Sequence, residues 1–141
     1  MPRLTRCFIL LLPLLLASCE KPLRQRIQGE WKADTAAAKT LWTTEGTLSP
    51  GAQAKLERTL KGLKIDIGKR SVKFFTGGTS SSNDFEIVTE SKYTLVTRHK
   101  DQRTGKTIDA QVSANSAGQL IIRTDYPTPG SVAVFVRPKS D

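Results

Sequence analysis

The stretch Thr107-Ile108-Asp109-Ala110-Gln111-Val112-Ser113-Ala114 decides the fold class of this chain, because apolar and polar side chains alternate along it. In an extended chain, Ile108, Ala110, Val112 and Ala114 fall on one side and the polar residues between them fall on the other. This period of two is typical of a β-strand with one buried face. The stretch therefore predicts a sheet that faces a core on one side and water on the other.

Similar segments lie on both sides of this strand, with turn-forming residues between them. The predicted strands are 27–33, 63–67, 71–76, 85–89, 92–99, 107–114, 119–124 and 131–137. We expect the Gly- and Ser-rich segment 77–83 to be a flexible loop. About eight short antiparallel strands in sequence order suit a mainly β protein: an up-and-down barrel, or a half-barrel with an open seam. Closure is favoured because it removes exposed strand edges.

Helical signals are confined to a predicted insertion between the first and second strands, about residues 35–62. Its second helix is well marked, because Ser49 suits the N-cap and Gly62 lies near the end. Leu56 and Leu60 share one side of this helix and basic residues lie opposite. The helix is either a lid packed on the barrel or a membrane-surface helix, and the pattern favours the lid.

The first 18 residues have the three parts of a secretory signal peptide. Arg3 and Arg6 are followed by an apolar run and by small residues before Cys19. The apolar run is much shorter than the ~20 residues that span a bilayer. The tetrad Leu16-Ala17-Ser18-Cys19 resembles the lipobox of bacterial lipoproteins, in which the thiol takes a diacylglyceryl group. The resemblance implies a signal peptide over 1–18 and a lipid anchor, with acyl chains such as palmitate, on Cys19. The alternative is a secreted protein with a chance cysteine.

Cleavage before Cys19 leaves 123 of the 141 residues, and the loss of Arg3 and Arg6 changes the formal net charge from +9 to +7. We expect a lipidated polar tether over 19–26 and a single domain over 27–141. The resemblance to bacterial lipoproteins also implies the outer membrane, facing the periplasm, because Glu20 stands where an Asp favours inner-membrane retention in proteobacterial lipoproteins. The domain has no cysteine, which excludes disulfides and thiolate catalysis in it.

The positive charge of the domain favours anionic partners such as lipid head groups, acidic glycans or acidic protein faces. Nucleic acid is a poor candidate, because the lipobox directs the protein out of the cytoplasm. Candidate contacts with an anionic surface lie in two predicted hairpins: Arg98, Lys100, Arg103 and Lys106 in one, and Lys69 and Arg70 in the other. If both hairpins open at one barrel end, they form a single positive rim. The alternative is a solvated basic surface.

The residues Gly29-Glu30-Trp31-Lys32, which enter the first strand, resemble the Gly-x-Trp signature of lipocalins and the related fatty-acid-binding proteins. In lipocalins a basic residue near the end of the last strand packs over that tryptophan, and Arg137 matches it. The resemblance implies a lipocalin-like (calycin) barrel that holds a small apolar or amphipathic ligand. If Val132 and Val134 point into the barrel, Arg137 points outward unless the strand bends.

Nothing in the sequence marks an active site or a metal site. His99 is the only histidine, it lies beside Lys100, and we expect it on the solvated surface. A single histidine without cysteines or clustered carboxylates is a poor metal site, and no nucleophile is marked beside it. We therefore expect no catalytic residues, no metal and no cofactor other than the lipid on Cys19.

Three kinds of function remain open at this point. The first is a membrane-anchored lipoprotein whose barrel binds a small apolar or amphipathic ligand at the cell envelope. The second is a non-enzymatic interaction or assembly module that contacts an acidic partner or anionic lipid. The third, a hydrolase of envelope polymers, has no residue constellation to support it. A filled barrel would exclude the first, and about eight strands permit both a hollow and a filled barrel.

Overall fold

The structure is a computed structural model that describes residues 20–126 and 128–140. The helices are α1 (Leu23–Arg26), α2 (Thr35–Glu45) and α3 (Pro50–Leu60). The strands are β1 (Gly29–Ala33), β2 (Lys64–Ile67), β3 (Ser71–Thr76), β4 (Thr79–Asp84), β5 (Glu86–Glu90), β6 (Thr94–Lys100), β7 (Thr107–Ala114), β8 (Gln119–Thr124) and β9 (Ser131–Val136). The protein is therefore mainly β, as predicted, with its two longer helices between β1 and β2.

All nine strands form one antiparallel sheet in the order β4-β3-β2-β1-β9-β8-β7-β6-β5. The first and last strands pair with each other, with Ala33 opposite Phe135. The two edges of the sheet are β4 and β5, and Phe85 alone separates them in the chain. Because the chain passes directly from one edge to the other, the sheet curls into a nearly closed barrel. Its seam lies between β4 and β5.

The predicted loop over 77–83 is wrong, because most of it belongs to β4. Gly77 and Gly78 have φ angles of +55° and +83°, and they form a two-residue turn in which Thr76 lies opposite Thr79. Positive φ at both central residues matches the twist of a β-hairpin, and glycine adopts it without steric cost. The barrel therefore has nine strands rather than about eight.

The two longer helices cover different parts of the barrel. Trp42 of α2 is buried, and its indole N–H donates to the carbonyl of Val132 at 2.8 Å. This bond holds α2 against the outer face of β9. The hydroxyl of Ser49 caps α3 by accepting from the N–H of Ala52 at 3.2 Å. Leu56 and Leu60 of α3 line the barrel interior, so this helix is the lid that the sequence favours.

Strand β9 is buried on both faces, and this decides the direction of Arg137. Phe135 lies opposite Leu120 and faces the interior, while Val134 on the other face is covered by α2. Arg137 is two residues after Phe135 and therefore faces the same side of the sheet, toward the interior. The alternative with Val132 and Val134 pointing into the barrel is therefore wrong, and no bend is needed to bring Arg137 inward.

The predicted tether over 19–26 is too long, because its last four residues form α1. Leu23 is 1% exposed and Ile27 is 3% exposed, and both belong to the hydrophobic core. All buried residues of that core lie between Leu23 and Phe135, so a chain that begins at Glu20 contains the complete described core. The predicted signal peptide over 1–18 and the lipid site Cys19 lie outside the described residues.

The antiparallel order gives the barrel two ends. We call one the tether end, because α1 and the turns 68–70, 91–93 and 115–118 lie there. We call the other the lid end, because it carries α3, the turn 77–78 and the connections around 101–106 and 125–130. Among the described residues, none of the helices has the length and hydropathy needed to cross a membrane.

Candidate ligand-binding cavity

The barrel encloses a cavity of about 340 Å³ between the sheet and α3. Its wall is mainly apolar and includes Leu56, Leu60, Ile65, Phe74, Ile108 and Phe135. These residues come from the lid helix and from both halves of the sheet, at the inward positions of their strands. Pockets for small molecules start at about 300 Å³, so the barrel has room for one small ligand.

Polar side chains interrupt the apolar wall, several of them at the lid end. His99 lines the cavity because it follows Leu95 and Thr97 at alternate positions of β6. Its ring is half-buried, so the expectation of a fully solvated histidine is wrong. Thr97 is 8% exposed and is one of the few buried polar residues. With Tyr126, these groups can donate or accept hydrogen bonds at the lid end of the cavity, which we call its mouth.

The hairpin between β6 and β7 lies next to this mouth and is bonded to Tyr126 of the cavity wall. The guanidinium of Arg103 donates to the hydroxyl of Tyr126 at 2.8 Å. The backbone N–H of Arg103 also donates to the carboxylate of Asp101 at 2.8 Å and lowers the pKa of that carboxyl. Arg103 is thus held beside the cavity, and Lys100 and Lys106 lie on the same hairpin.

Gly29, Trp31 and Arg137, which carry the resemblance to lipocalins, lie together at the tether end. The guanidinium carbon of Arg137 lies 3.9 Å from the centroid of the Trp31 ring. Its N–H groups donate to the carbonyls of Arg26 at 3.0 Å, Gln28 at 2.9 Å and Glu30 at 3.1 Å. Burial lowers the pKa of Arg137. Gly29 has a φ of +104°, and a Cβ there would lie 3.0 Å from Nη1 of Arg137.

This contact joins separate segments of the chain at the tether end of the barrel. Trp31 is 5% exposed, and its indole N–H donates to the carbonyl of Ile27 at 2.8 Å. Because Arg137 covers the ring and bonds to the residues around α1, the tether end is tied together by one guanidinium. The packing of a basic residue over Trp31 is the one that the resemblance implied.

The two predicted basic hairpins do not form one rim. The turn with Lys69 and Arg70 joins β2 to β3 at the tether end, whereas the hairpin with Lys100, Arg103 and Lys106 lies at the lid end. An antiparallel meander places these two turns at opposite ends, so the condition for a single positive rim is not met.

Arg98 is not free to bind an anion. It lies on the outer face of β6 and makes two hydrogen bonds to Asp109, of 2.8 Å and 2.9 Å. This bidentate pair lowers the pKa of Asp109 and engages the Nε–Nη2 edge of the guanidinium.

A second cleft, of about 380 Å³, lies outside the barrel between the end of α2 and strands β7 and β8. Its lining includes Glu45, Asp109 and Asp125. Glu45 pairs with Arg123 at 2.7 Å, and Asp109 pairs with Arg98. Two of the three carboxylates are thus held in ion pairs, which keeps them ionised rather than poised as general acids. No group of three side chains that could hold a metal occurs in the described ranges.

The sequence placed part of the cavity wall on inward faces, including Leu56, Leu60 and Val112, but it missed the polar mouth. His99 lies at the same alternate positions of β6 as Leu95 and Thr97, so the alternation of this strand could have predicted that His99 faces inward. Tyr126 lies in a connection, where no periodicity predicts its direction.

No family model, no curated protein and no solved structure matches the chain.

Proposed function

We propose that the protein is a lipid-anchored bacterial lipoprotein whose lipocalin-like barrel binds one small apolar or amphipathic ligand at the cell envelope. The anchor is proposed on Cys19, and Glu20 after it favours the outer membrane, facing the periplasm. The role is binding rather than catalysis.

The apolar cavity inside the barrel is the observation that carries this proposal. Burial of apolar surface contributes roughly 25 cal/mol per Å², so an apolar molecule gains free energy by leaving water for this wall. The space is modest, which favours a single small molecule or one short chain of an amphiphile. The lipobox tetrad and the Gly29–Trp31–Arg137 cluster support the anchored, lipocalin-like part of the proposal.

The mouth of the cavity favours an amphipathic ligand over a purely apolar one. His99 and Tyr126 offer polar atoms there, and the cationic hairpin with Arg103 lies beside them. A ligand with an apolar body and one polar end matches this distribution. Its polar end would stay near the lid end while its body fills the barrel.

The first test is native mass spectrometry of the body, Glu20 to Asp141, exported to the periplasm of its own host and purified gently. We expect a reproducible added mass that organic extraction removes. After extraction, a fluorescent apolar probe should bind with one-to-one stoichiometry. A bare protein mass together with no binding of the probe would overturn the proposal.

A cavity-filling variant makes this test specific. Ala133 lies on the cavity wall, so Ala133→Phe should fill much of the space and weaken probe binding at least tenfold. Ala54 lies on the exposed side of α3, and Ala54→Phe adds the same ring where it leaves the cavity open. Equal probe affinity in the two variants would show that the probe binds elsewhere.

A further inference from the structure

We propose that a basic groove at the tether end binds the head groups of anionic phospholipids and holds that end of the barrel against the membrane. The lid end, with the mouth of the cavity, then faces away from the bilayer. This surface shares only Phe85 with the lining of the cavity, and its test does not depend on the cavity having a ligand.

The groove lies between the N-terminal segment and the seam side of the barrel and has a volume of about 930 Å³. Its lining has four basic side chains and one carboxylate, a net charge of +3: Lys21, Arg24, Lys69, Arg70 and Glu86. The basic residues come from two segments that are more than forty residues apart in the sequence. The fold, rather than a local run of charges, therefore creates this surface.

Three of these cations are available for an external anion. Arg24 pairs with Glu90 at 3.0 Å. In contrast, no carboxylate of the described residues lies within ion-pair distance of Lys21, Lys69 or Arg70. All three side chains belong to exposed residues. Phosphate diesters of lipid head groups have the charge and the acceptor oxygens that such a cluster binds.

The path of the chain points to a membrane rather than to another anion. Glu20 is held at the tether end by its ion pair with Lys92, at 3.1 Å, and Cys19 directly precedes it in the sequence. From Leu23 onward the chain is folded into the barrel, so the groove lies within a few residues of the proposed lipid. The anchor would therefore bring this groove, and not the lid end, to the bilayer surface.

Vesicle sedimentation of the body, Glu20 to Asp141, with an acetylated amino terminus tests the groove without the lipid. The probes are phosphatidylcholine vesicles with and without about one third phosphatidylglycerol. We expect binding to the anionic vesicles alone, and weaker binding as salt rises. The triple variant Lys21→Gln, Lys69→Gln and Arg70→Gln should bind roughly a hundredfold more weakly, since each surface cation contributes about 1 kcal/mol.

The matched control removes the same charges at the lid end. Lys55, Arg58 and Lys61 are exposed on or beside α3, and their replacement by Gln should leave vesicle binding within about threefold. Equal losses in the two triple variants would mean that net charge alone drives binding and would overturn the proposal. Absence of binding to anionic vesicles by the unmodified body would overturn it as well.

Discussion

Arg137 connects parts of the protein that are far apart in the sequence. It covers Trp31 of β1 and donates to three carbonyls between Arg26 and Glu30. A cation over an indole ring contributes about 0.5–1 kcal/mol at exposed sites, and hydrogen bonds from a charged group contribute about 1.5–3 kcal/mol. Because Arg137 is partly exposed, we place its contribution near the lower end of these ranges.

We expect Arg137→Ala to lower the free energy of unfolding by about 2 kcal/mol, measured by urea denaturation. Arg137→Lys keeps the charge but cannot reach three carbonyls from one planar group, so it should recover less than half of the loss. Lys139→Ala, in the same terminal segment, is the control and should change stability by less than about 0.5 kcal/mol. Full rescue by lysine would show that charge, not geometry, matters at this position.

The ion pair between Glu45 and Arg123 should make stability depend on pH. The hydrogen bond from Arg123 lowers the pKa of Glu45 in the folded protein. The contribution of Glu45 is therefore complete above its unfolded pKa, about 4.3, and is lost as pH falls through the lower folded pKa. Glu45→Gln should cost about 0.5–1 kcal/mol at pH 7.

This difference between the wild type and Glu45→Gln should shrink toward zero in acid, as measured by denaturation across pH 2–7. Glu30→Gln is the control, because Glu30 is exposed and has no ion pair among the described side chains. A difference that stayed constant down to the lowest pH would assign the loss to packing instead of to the ionised pair.

At the scale of elements, the β3–β4 hairpin depends on its two glycines. Gly78 has a φ of +83°, a conformation that an L-residue with a side chain adopts at a cost of about 1 kcal/mol. We expect Gly78→Ala to destabilise the protein by about that amount. Gly51→Ala, in the first turn of α3, should instead stabilise it by a few tenths of a kcal/mol because alanine favours helix. The same sign for both substitutions in thermal unfolding would contradict this account.

The sequence predicted strands accurately where one face is buried and the other is exposed, and it failed where both faces have the same environment. Thr107–Ala114 was predicted with its observed bounds because one face is buried and the other is in water. Strand β4 was missed because most of its residues are exposed, so no alternation marks it. The one available signal was the Gly77-Gly78 pair, which is typical of a hairpin.

Strand β9 shows the opposite difficulty. Both of its faces are buried, one in the barrel and one under α2, so apolar residues occupy every position and the inward face cannot be chosen from the sequence. The same limit applies to the cavity. Alternation identified the inward side chains of β7, but the packing of side chains in three dimensions determines whether they fill the space. The position of Tyr126 at the mouth depends on a connection without periodicity.

For the whole molecule, the barrel separates two surfaces with different chemistry. The cavity has polar lining residues at the lid end, including His99 and Tyr126. The basic groove is lined by residues of α1 and of the turn 68–70 at the tether end. The sheet between them is continuous and hydrogen-bonded along its length. Of the lining residues, Phe85 alone is shared by the cavity and the groove, and none of the cations of the groove lines the cavity. Distant sites contribute nearly independently when they share few partners, so a ligand in the barrel should change contact with the membrane very little.

We therefore expect the affinity for the apolar probe to change less than twofold when the protein is bound to anionic vesicles or carries the triple groove substitution. Conversely, Ala133→Phe should leave vesicle binding unchanged. The affinity for the probe is measured by fluorescence titration and the affinity for vesicles by sedimentation. Four proteins are compared: the wild type, the triple groove variant, Ala133→Phe and Ala54→Phe. Coupling is reciprocal by linkage, so a fivefold change in one direction must appear in the other. Such a change would mean that the barrel moves as one unit when either site is occupied, and the two sites would then have to be treated as a single binding system.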